Sequence, residues 1–117
     1  DKLKDVGWYD ENSGNETHPV GEKLPNELGL YDLSGNVWEW CEDWYGSYPS
    51  GSQTNPTGPS RGSDRVSRGG SWISVAQYCR VSYRYPYSPE GRDFNLGFRL
   101  ALPFQGDGVS GFPVSDA

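Results

Sequence analysis

The sequence predicts a small domain that is rich in loops and aromatic residues and is built from short strands. With 117 residues, the chain suits a single domain. Sixteen glycines and nine prolines predict many turns and little helix. Hydrophobic residues make up only 33% of the chain, whereas aromatic residues reach 15%. A few large aromatic side chains, each able to bury on the order of 150–250 Å², must therefore supply most of the core.

Alternating segments between turn-forming residues define the first predicted elements. Residues 1–28 are an irregular entry, because "DENSGNET" and "GEKLPNE" favour turns and loops. In "VWEWCEDW" large apolar and polar residues alternate with a period of two, which predicts a strand with Val37 or Trp38 facing the core. Residues 46–64 follow as a long loop of Gly, Ser, Pro and Asn, a type of loop that often carries function.

The second half of the chain predicts three more strands. They are "RVSRGGSW", "YCRVSYR" and "LGFRLAL", with a turn at "SPEGRD" before the last. Residues 1–104 would form the domain and residues 105–117 a weakly structured tail. We expect Arg80, Arg84 and Arg99 to brace backbone carbonyls and acids. The expected core residues are Trp38, Trp40, Trp44, Trp72, Leu96, Phe98 and Leu100.

Composition argues against several classes of function. The net charge is −6, which disfavours non-specific binding of nucleic acid. No run of about 18 apolar residues is present, so no membrane span is predicted, and no signal peptide is visible. The chain starts with Asp1 rather than Met, so we expect a processed product or a piece of a longer protein. Two cysteines, Cys41 and Cys79, fit two buried thiols or one tertiary bridge better than a redox site. With His18 as the only histidine, a zinc site is disfavoured.

Three blocks of the sequence together resemble one known family. "HPVGEKLPNELGLYDLSGNVWEWCEDWY", "RVSRGGSW" and "CRVSYR…NLGFRLA" stand in the order and spacing of the sulfatase-modifying-factor family, the domain of the formylglycine-generating enzyme. The resemblance covers residues 7–102. It implies an α+β, C-type-lectin-like fold that is rich in loops, with short twisted antiparallel strands and short helices. Domains of this family are usually much longer, so the chain would be a stripped-down version or the C-terminal part of a longer protein.

The resemblance also implies where an enzyme of the family would hold its catalytic groups. Such enzymes convert a sulfatase cysteine to formylglycine with two active-site cysteines that bind copper, and thiolates are soft ligands that suit Cu(I). The first of these cysteines would fall at Ser74. Cys79 does not restore the pair, because the same cysteine is also common in non-catalytic members of the family. Since a hydroxyl cannot replace a thiolate as a copper ligand, the sequence predicts no enzyme and no catalytic residue.

A calcium site is the metal site that the family resemblance favours, whereas the residues alone favour the alternative given below. In "YDLSGNVWE", Asp32 and Glu39 offer carboxylates, and Gly35 and Val37 offer carbonyls on a tight turn. Such hard oxygen ligands suit Ca²⁺, and the resembled family uses the matching positions for a structural calcium. The alternative is that Asp32 and Asn36 cap a turn while Glu39 pairs with an arginine.

One branch of this lectin-like fold comprises the variable proteins of diversity-generating retroelements. In those proteins, inaccurate copying of template adenines turns AAC codons into codons for many other residues. The segment between "RGGSW" and "NLGFRLAL" carries residue types that such codons can encode, set in a frame that includes "CRVS". The alternative is an ordinary surface loop. The predicted ligand-binding residues are Ile73, Ser74, Val75, Tyr78, Tyr83, Tyr85, Pro86, Tyr87, Asp93 and Phe94.

The sequence therefore predicts a non-enzymatic display domain whose surface at residues 73–95 binds a protein or a cell-surface target. Tyrosine and phenylalanine give large contact areas at low entropic cost, and an aromatic patch suits the packing of a protein partner. An extracellular, cell-surface or phage-particle location is favoured over the cytoplasm. The alternatives are a formylglycine-forming oxidase, or a fragment of one, that acts on a sulfatase cysteine, and a purely structural domain of a larger protein.

Overall fold

The computed structural model describes residues 2–102, most of which lie in loops and turns. A single helical turn, α1, is followed by four short strands and one 3₁₀ helix. The predicted domain end at residue 104 and the predicted tail at 105–117 lie outside the described residues. The elements are α1 (Leu3–Val6), β1 (Trp38–Trp44), β2 (Arg65–Arg68), the 3₁₀ helix (Ala76–Cys79), β3 (Arg84–Tyr87) and β4 (Leu96–Gly97).

The four strands form one sheet in the order β3-β2-β1-β4. β2 pairs antiparallel with both β1 and β3, whereas β4 pairs parallel with β1. Trp40, Ser67 and Tyr85 stand opposite one another in one row across the sheet. Since successive side chains of a strand point to opposite faces, the neighbouring row points to the other face. We call the face with Trp40 and Tyr85 the aromatic face and the opposite one the cleft face.

The predicted strands have mixed outcomes. β1 confirms the first strand, and β2 confirms only the "RVSR" part of the second. Residues 46–64 contain no helix or strand, as predicted. The predicted third strand "YCRVSYR" is wrong, because Ala76–Cys79 is a 3₁₀ helix and β3 begins only at Arg84. The last strand ends at Gly97, so most of "LGFRLAL" lies outside the sheet.

The core prediction holds for Trp38 and fails for two residues near the end of the described chain. Trp38 is only 6% exposed. Phe98 and Leu100 are 74% and 90% exposed, so their assignment to the core is wrong. The pattern is apolar, but no strand pairs with the chain after Gly97, and nothing in the described residues covers these side chains. The other four predicted core residues, Trp40, Trp44, Trp72 and Leu96, are half-buried.

Buried polar groups hold the loops to the sheet. Asn36 is 6% exposed and bonds to His18 twice: its side-chain oxygen accepts from the His18 N–H and its amide donates to the His18 carbonyl. Its own backbone N–H donates to the Trp8 carbonyl, and its carbonyl accepts from the Trp72 N–H. All the polar groups of Asn36 are therefore paired, which removes the cost of burying them.

Gly35 lets this turn pass close to the entry loop. Its φ is 79°, a left-handed conformation that favours glycine. Its N–H donates to the Gly69 carbonyl at 2.7 Å. A Cβ at this position would collide with the backbone of Trp8. The Gly in "LSGN" is therefore required by packing as well as by backbone conformation.

The three arginines that were expected to brace the fold do so. Arg80 donates to the Gln77 carbonyl, and Arg84 donates to the Gly46 carbonyl. Arg99 donates to the Glu39 carboxylate and to the carbonyls of Tyr31 and Asp32. Within residues 2–102, no helix has the length and apolar character needed to cross a membrane.

Candidate ligand-binding surface

Four of the predicted tyrosines form a continuous set of ring contacts on the aromatic face. Tyr78 packs against Tyr83, with ring centroids 4.8 Å apart. Tyr83 and Tyr85 both pack against Trp38, at 6.1 and 5.4 Å. Tyr87 contacts Tyr85 at 6.1 Å, and its ring meets Trp40 edge-on at 5.6 Å. These distances are typical of favourable aromatic pairs, so the frame tryptophans hold the tyrosines in fixed positions.

Asp93 and Phe94 extend this group from the loop before β4. The Tyr87 hydroxyl donates a 2.6 Å hydrogen bond to the Asp93 carboxylate. Phe94 packs against Trp72, with ring centroids 5.8 Å apart, yet remains 69% exposed. Tyr78, Tyr83, Tyr85, Tyr87, Asp93 and Phe94 together, resting on the frame tryptophans, are called the aromatic surface below.

The other four predicted binding residues have different environments. Ile73 and Val75 are 50% and 44% exposed. Ser74 between them is only 7% exposed, and its hydroxyl accepts from the Ser71 N–H at 3.0 Å. Pro86 lies between two tyrosines that face Trp38 and Trp40, so it points to the opposite face. Ser74 therefore supports the loop from beneath, and Pro86 belongs to the cleft face.

The bond between Tyr87 and Asp93 predicts a shifted titration. Hydrogen bonding to the Asp93 carboxylate, followed by burial, raises the pKa of Tyr87 to about 12. The neutral tyrosine is thus favoured in the folded state. Its contribution to stability is fully present below the usual pKa of 10.0 and is lost as the pH rises towards 12. We expect Asp93→Asn to lower the pKa of Tyr87.

Absorbance at 295 nm, taken as the difference between each protein and its Tyr87→Phe version, isolates this ionisation. Glu90→Gln is the matched control, because Glu90 accepts a hydrogen bond from Ser88 and touches neither partner. A Tyr87 titration that Asp93→Asn leaves unchanged would show that the bond is absent in solution.

Ser74 and Cys79 are both buried close to the backbone N–H of Ser71. The Ser71 N–H donates to the Ser74 hydroxyl at 3.0 Å and also faces the thiol of Cys79. Cys79 is 2% exposed, and desolvation raises the pKa of its thiol to about 11. A thiol with this pKa is almost entirely protonated at neutral pH, and the protonated form is a poor nucleophile and metal ligand.

The proposed calcium ligands lie at the Asp32 turn. Asp32, Val37 and Glu39 line one cleft of about 430 Å³, whereas Gly35, the fourth predicted ligand, does not line it. Asp32 is 6% exposed; its Oδ2 accepts from the Gly21 N–H, and its Oδ1 is buried without a hydrogen-bond partner. Such an orphaned buried oxygen fits a cation ligand. Glu39 accepts two hydrogen bonds from Arg99, at 2.5 and 2.6 Å, and its carboxylate keeps further lone pairs.

The donor set at this turn fits a hard cation only if backbone carbonyls take part. Residues 2–102 contain no group of three or more His, Cys, Asp or Glu side chains placed to hold a metal. Asp32 and Glu39 would therefore need the carbonyls of Gly35 and Val37, a mixture that Ca²⁺ accepts.

Trp8 is a structural residue that the sequence does not predict. Its ring stacks on His18, with centroids 3.7 Å apart, and Lys23 Nζ lies 4.0 Å from the ring centroid. The His18 ring also approaches the Ser13 carbonyl, at 2.6 Å. These contacts give His18 a structural role. No pattern marks Trp8, because its partners arrive through loop geometry and not through strand periodicity.

Comparison with known protein families gives one match that covers most of the chain. The Sulfatase-modifying factor enzyme 1-like domain family matches residues 2–103. The chain belongs to this family. The resemblance predicted from the three sequence blocks is thereby confirmed.

The proteins that resemble this chain include both enzymes and a variable protein. The formylglycine-generating enzyme of Mus musculus is 45% identical over 89 residues, which cover 73% of this chain and 24% of that enzyme. Treponema denticola variable protein 1 matches in structure with a TM-score of 0.78 and 48% identity, over 83% of this chain and 36% of that one. PvdO from Pseudomonas aeruginosa matches with a TM-score of 0.69 and 27% identity, over 80% and 38% of the two chains.

These relatives confirm the family resemblance and the lectin-like, sheet-rich fold, including the likeness to a variable protein. The matches cover only part of each relative. The chain spans about a quarter of the mouse enzyme and just over a third of the variable protein. The activities of the whole relatives are therefore not carried over directly to this chain.

Proposed function

We propose that this protein is a non-enzymatic display domain that binds a protein target through its aromatic surface. One observation carries the proposal: six of the ten residues singled out for their codon accessibility form one connected, partly exposed cluster that packs on frame tryptophans. The structural similarity to Treponema denticola variable protein 1 supports the same function. Ile73 and Val75 extend the exposed apolar area.

The physical form of the surface suits binding of a folded protein. Tyr85 and Phe94 are 45% and 69% exposed, yet each ring rests on a tryptophan of the frame. Binding then costs little side-chain entropy, because the rings are already held in place. Exposed aromatic area of this kind is typical of interaction surfaces. Such a role favours a location outside the cell, on a cell surface or on a phage particle.

The chemistry of the Ser71 loop supports a role without catalysis. Ser74 stands where the resembled enzymes hold their first active-site cysteine, and its hydroxyl is occupied by Ser71. Cys79 is buried with a raised pKa. We expect no conversion of cysteine to formylglycine when the protein is incubated with copper, oxygen, a thiol reductant and a cysteine-bearing sulfatase peptide. Mass spectrometry of the peptide measures this. Stoichiometric formylglycine formation would establish the alternative, an oxidase.

Sequencing the DNA around the coding region tests diversification directly. We expect a near-repeat of the segment encoding residues 70–95, with AAC codons at the exposed positions of the aromatic surface. A flanking sequence that contains no near-repeat would remove the retroelement part of the proposal.

A library tests whether the surface can change while the frame folds. The varied positions would be Ile73, Val75, Tyr78, Tyr83, Tyr85, Tyr87, Asp93 and Phe94. We expect most members to remain folded, because these side chains lie on top of the frame, and some to bind a chosen protein such as lysozyme.

The control library varies the same number of buried or frame positions, and we expect most of its members to unfold. The control positions are Trp38, Trp40, Val66, Ser67, Ser71, Trp72, Ser74 and Cys79. Equal loss of folding in both libraries would show that the aromatic surface is part of the core.

We propose further that a calcium ion stabilises the Asp32 turn, held by Asp32, Gly35, Val37 and Glu39. The orphaned Asp32 Oδ1 supports this proposal. We expect EGTA to lower the melting temperature by several degrees and Ca²⁺ to restore it, since a ligand that binds only the folded state stabilises it. Differential scanning calorimetry measures the shift.

Asp32→Asn should reduce the effect of calcium, because it removes a charge from the site. Asp64→Asn is the control, since Asp64 does not line this cleft. A melting temperature that neither EGTA nor Ca²⁺ changes would refute the calcium site.

A further inference from the structure

A second cleft lies on the opposite side of the sheet from the aromatic surface. It has a volume of about 1020 Å³ and runs between the cleft face and the loop of residues 46–59. Its floor includes Cys41, Val66, Arg68 and Arg84, and Asp43 also lines it. Pockets that bind small molecules are commonly of this size. None of the proposed binding residues of the aromatic surface lines this cleft.

Two arginines, Arg68 and Arg84, contribute to the floor of this cleft. Arg68 of β2 stands directly opposite Arg84 of β3 in the sheet. Like charges at opposed positions repel each other and destabilise a sheet. The next position in the row is Glu39 of β1, but both of its carboxylate oxygens accept from Arg99. The acid that could neutralise the pair is therefore engaged elsewhere.

Within residues 2–102, no other acid forms an ion pair with either arginine. Among residues 2–102, the ion pairs within 4.0 Å are those of Arg99 with Glu39 and of His18 with Glu22. Asp43 lines the same cleft but pairs with neither guanidinium. The pair thus keeps its positive charge inside a half-enclosed space.

Each guanidinium is fixed by the protein and still has donors to offer. Arg68 donates through one terminal nitrogen to the Val81 carbonyl at 2.9 Å. Arg84 donates to the Gly46 carbonyl at 2.9 Å, and its planar group lies 3.8 Å from the ring centroid of Tyr48. A guanidinium has five N–H donors in a fork that matches the oxygens of a carboxylate or a phosphate. These contacts fix the positions of the two guanidinium groups before a ligand binds.

We propose that Arg68 and Arg84 form the anchor of a binding site for a small molecule that carries a carboxylate or a phosphate. The anionic group would accept hydrogen bonds from the free donors of the two arginines and neutralise their charge. The remainder of the molecule would contact the polar loop above, which includes Gln53, Thr54 and Asn55. This site is independent of the target-binding function proposed for the aromatic surface.

Titration with two simple anions tests the site. Sodium phosphate and sodium citrate are added separately at constant ionic strength, and the arginine side-chain Nε–H signals are followed by NMR. We expect saturable shifts of the Arg68 and Arg84 signals with at least one anion. Saturation by phosphate alone assigns the site to phosphates, and saturation by citrate alone assigns it to carboxylates. No saturable shift with either anion would overturn the proposal.

Variants separate the site from general attraction of anions. Arg68→Gln should weaken binding about tenfold or more, the loss expected for a charged hydrogen-bond pair. Arg61→Gln removes the same charge from an exposed position that does not line the cleft, and it should change the affinity less than twofold. An equal loss in both variants, or none in Arg68→Gln, would contradict the site.

The thiol of Cys41 gives a measurement that needs no variant. Cys41 lines the cleft and is half-buried, whereas Cys79 is buried elsewhere. An anion bound at Arg68 should slow the alkylation of Cys41 by iodoacetamide at saturating concentration, as followed by mass spectrometry of the Cys41 peptide. If Arg68→Gln does not fold, this protection in the unaltered protein still decides the matter. A rate unchanged by saturating phosphate and citrate counts against the site.

Discussion

Replacing Trp38 with alanine is expected to lower the free energy of unfolding by about 3–5 kcal/mol, the usual cost of removing a large buried aromatic side chain. Trp38 is 6% exposed and lies beneath both Tyr83 and Tyr85. The loss is a large part of the stability of a small domain. Urea unfolding followed by far-UV circular dichroism measures it. The same substitution should also release the two tyrosines from their positions.

Phe98→Ala is the matched comparison, because the apolar pattern assigned both residues to the core. Phe98 is 74% exposed, so its removal should change the unfolding free energy by no more than about 0.5 kcal/mol. A cost for Phe98 similar to that for Trp38 would mean that the strand pattern is right and that Phe98 packs against the domain in solution.

The second large effect is expected at Gly35. Gly35→Ala should destabilise the fold by roughly 3–5 kcal/mol, because two penalties combine. The left-handed φ of 79° is strained for alanine, and the new Cβ would strike the backbone of Trp8. Displacing Trp8 would also break the hydrogen bond from the Asn36 N–H to its carbonyl. Urea unfolding at a fixed calcium concentration measures the change.

Gly14→Ala separates the two penalties. Gly14 has a similar φ of 70°, but nothing lies within 4 Å of the Cβ that alanine would add. It should therefore show only the conformational cost, about 1–2 kcal/mol. If both variants lose the same stability, the close approach of the turn to Trp8 does not exist in solution.

The parts of the fold that the sequence predicts correctly depend on local pattern. β1 is predicted because tryptophans and acids alternate along one segment. "YCRVSYR" alternates as well, but a tertiary contact decides its structure. Cys79 is buried against Gly70, where a Cβ would come within 2.6 Å of its sulfur. That contact holds the segment in a 3₁₀ turn, and no local pattern reports it.

The candidate site was likewise predictable only in part. The residue types of the aromatic surface could be identified from the sequence, because they depend on codon accessibility and composition. Which side chains face outward depends on strand register and on loop packing. Loop packing buries Ser74 beneath its neighbours. Strand register turns Pro86 to the opposite face and places Arg68 opposite Arg84. Such non-local pairings cannot be obtained from one segment at a time.

The two cysteines bear on how the stability of this fold depends on redox conditions. Both are free thiols, and burial is the largest cause of the raised pKa of each. Thiol–disulfide exchange proceeds through the thiolate, so the raised pKa of each thiol slows its exchange. No cross-link has to form or survive for residues 2–102 to hold together. The same frame is therefore expected to be indifferent to redox conditions, and its stability should not change when glutathione replaces oxygen as the dominant redox agent.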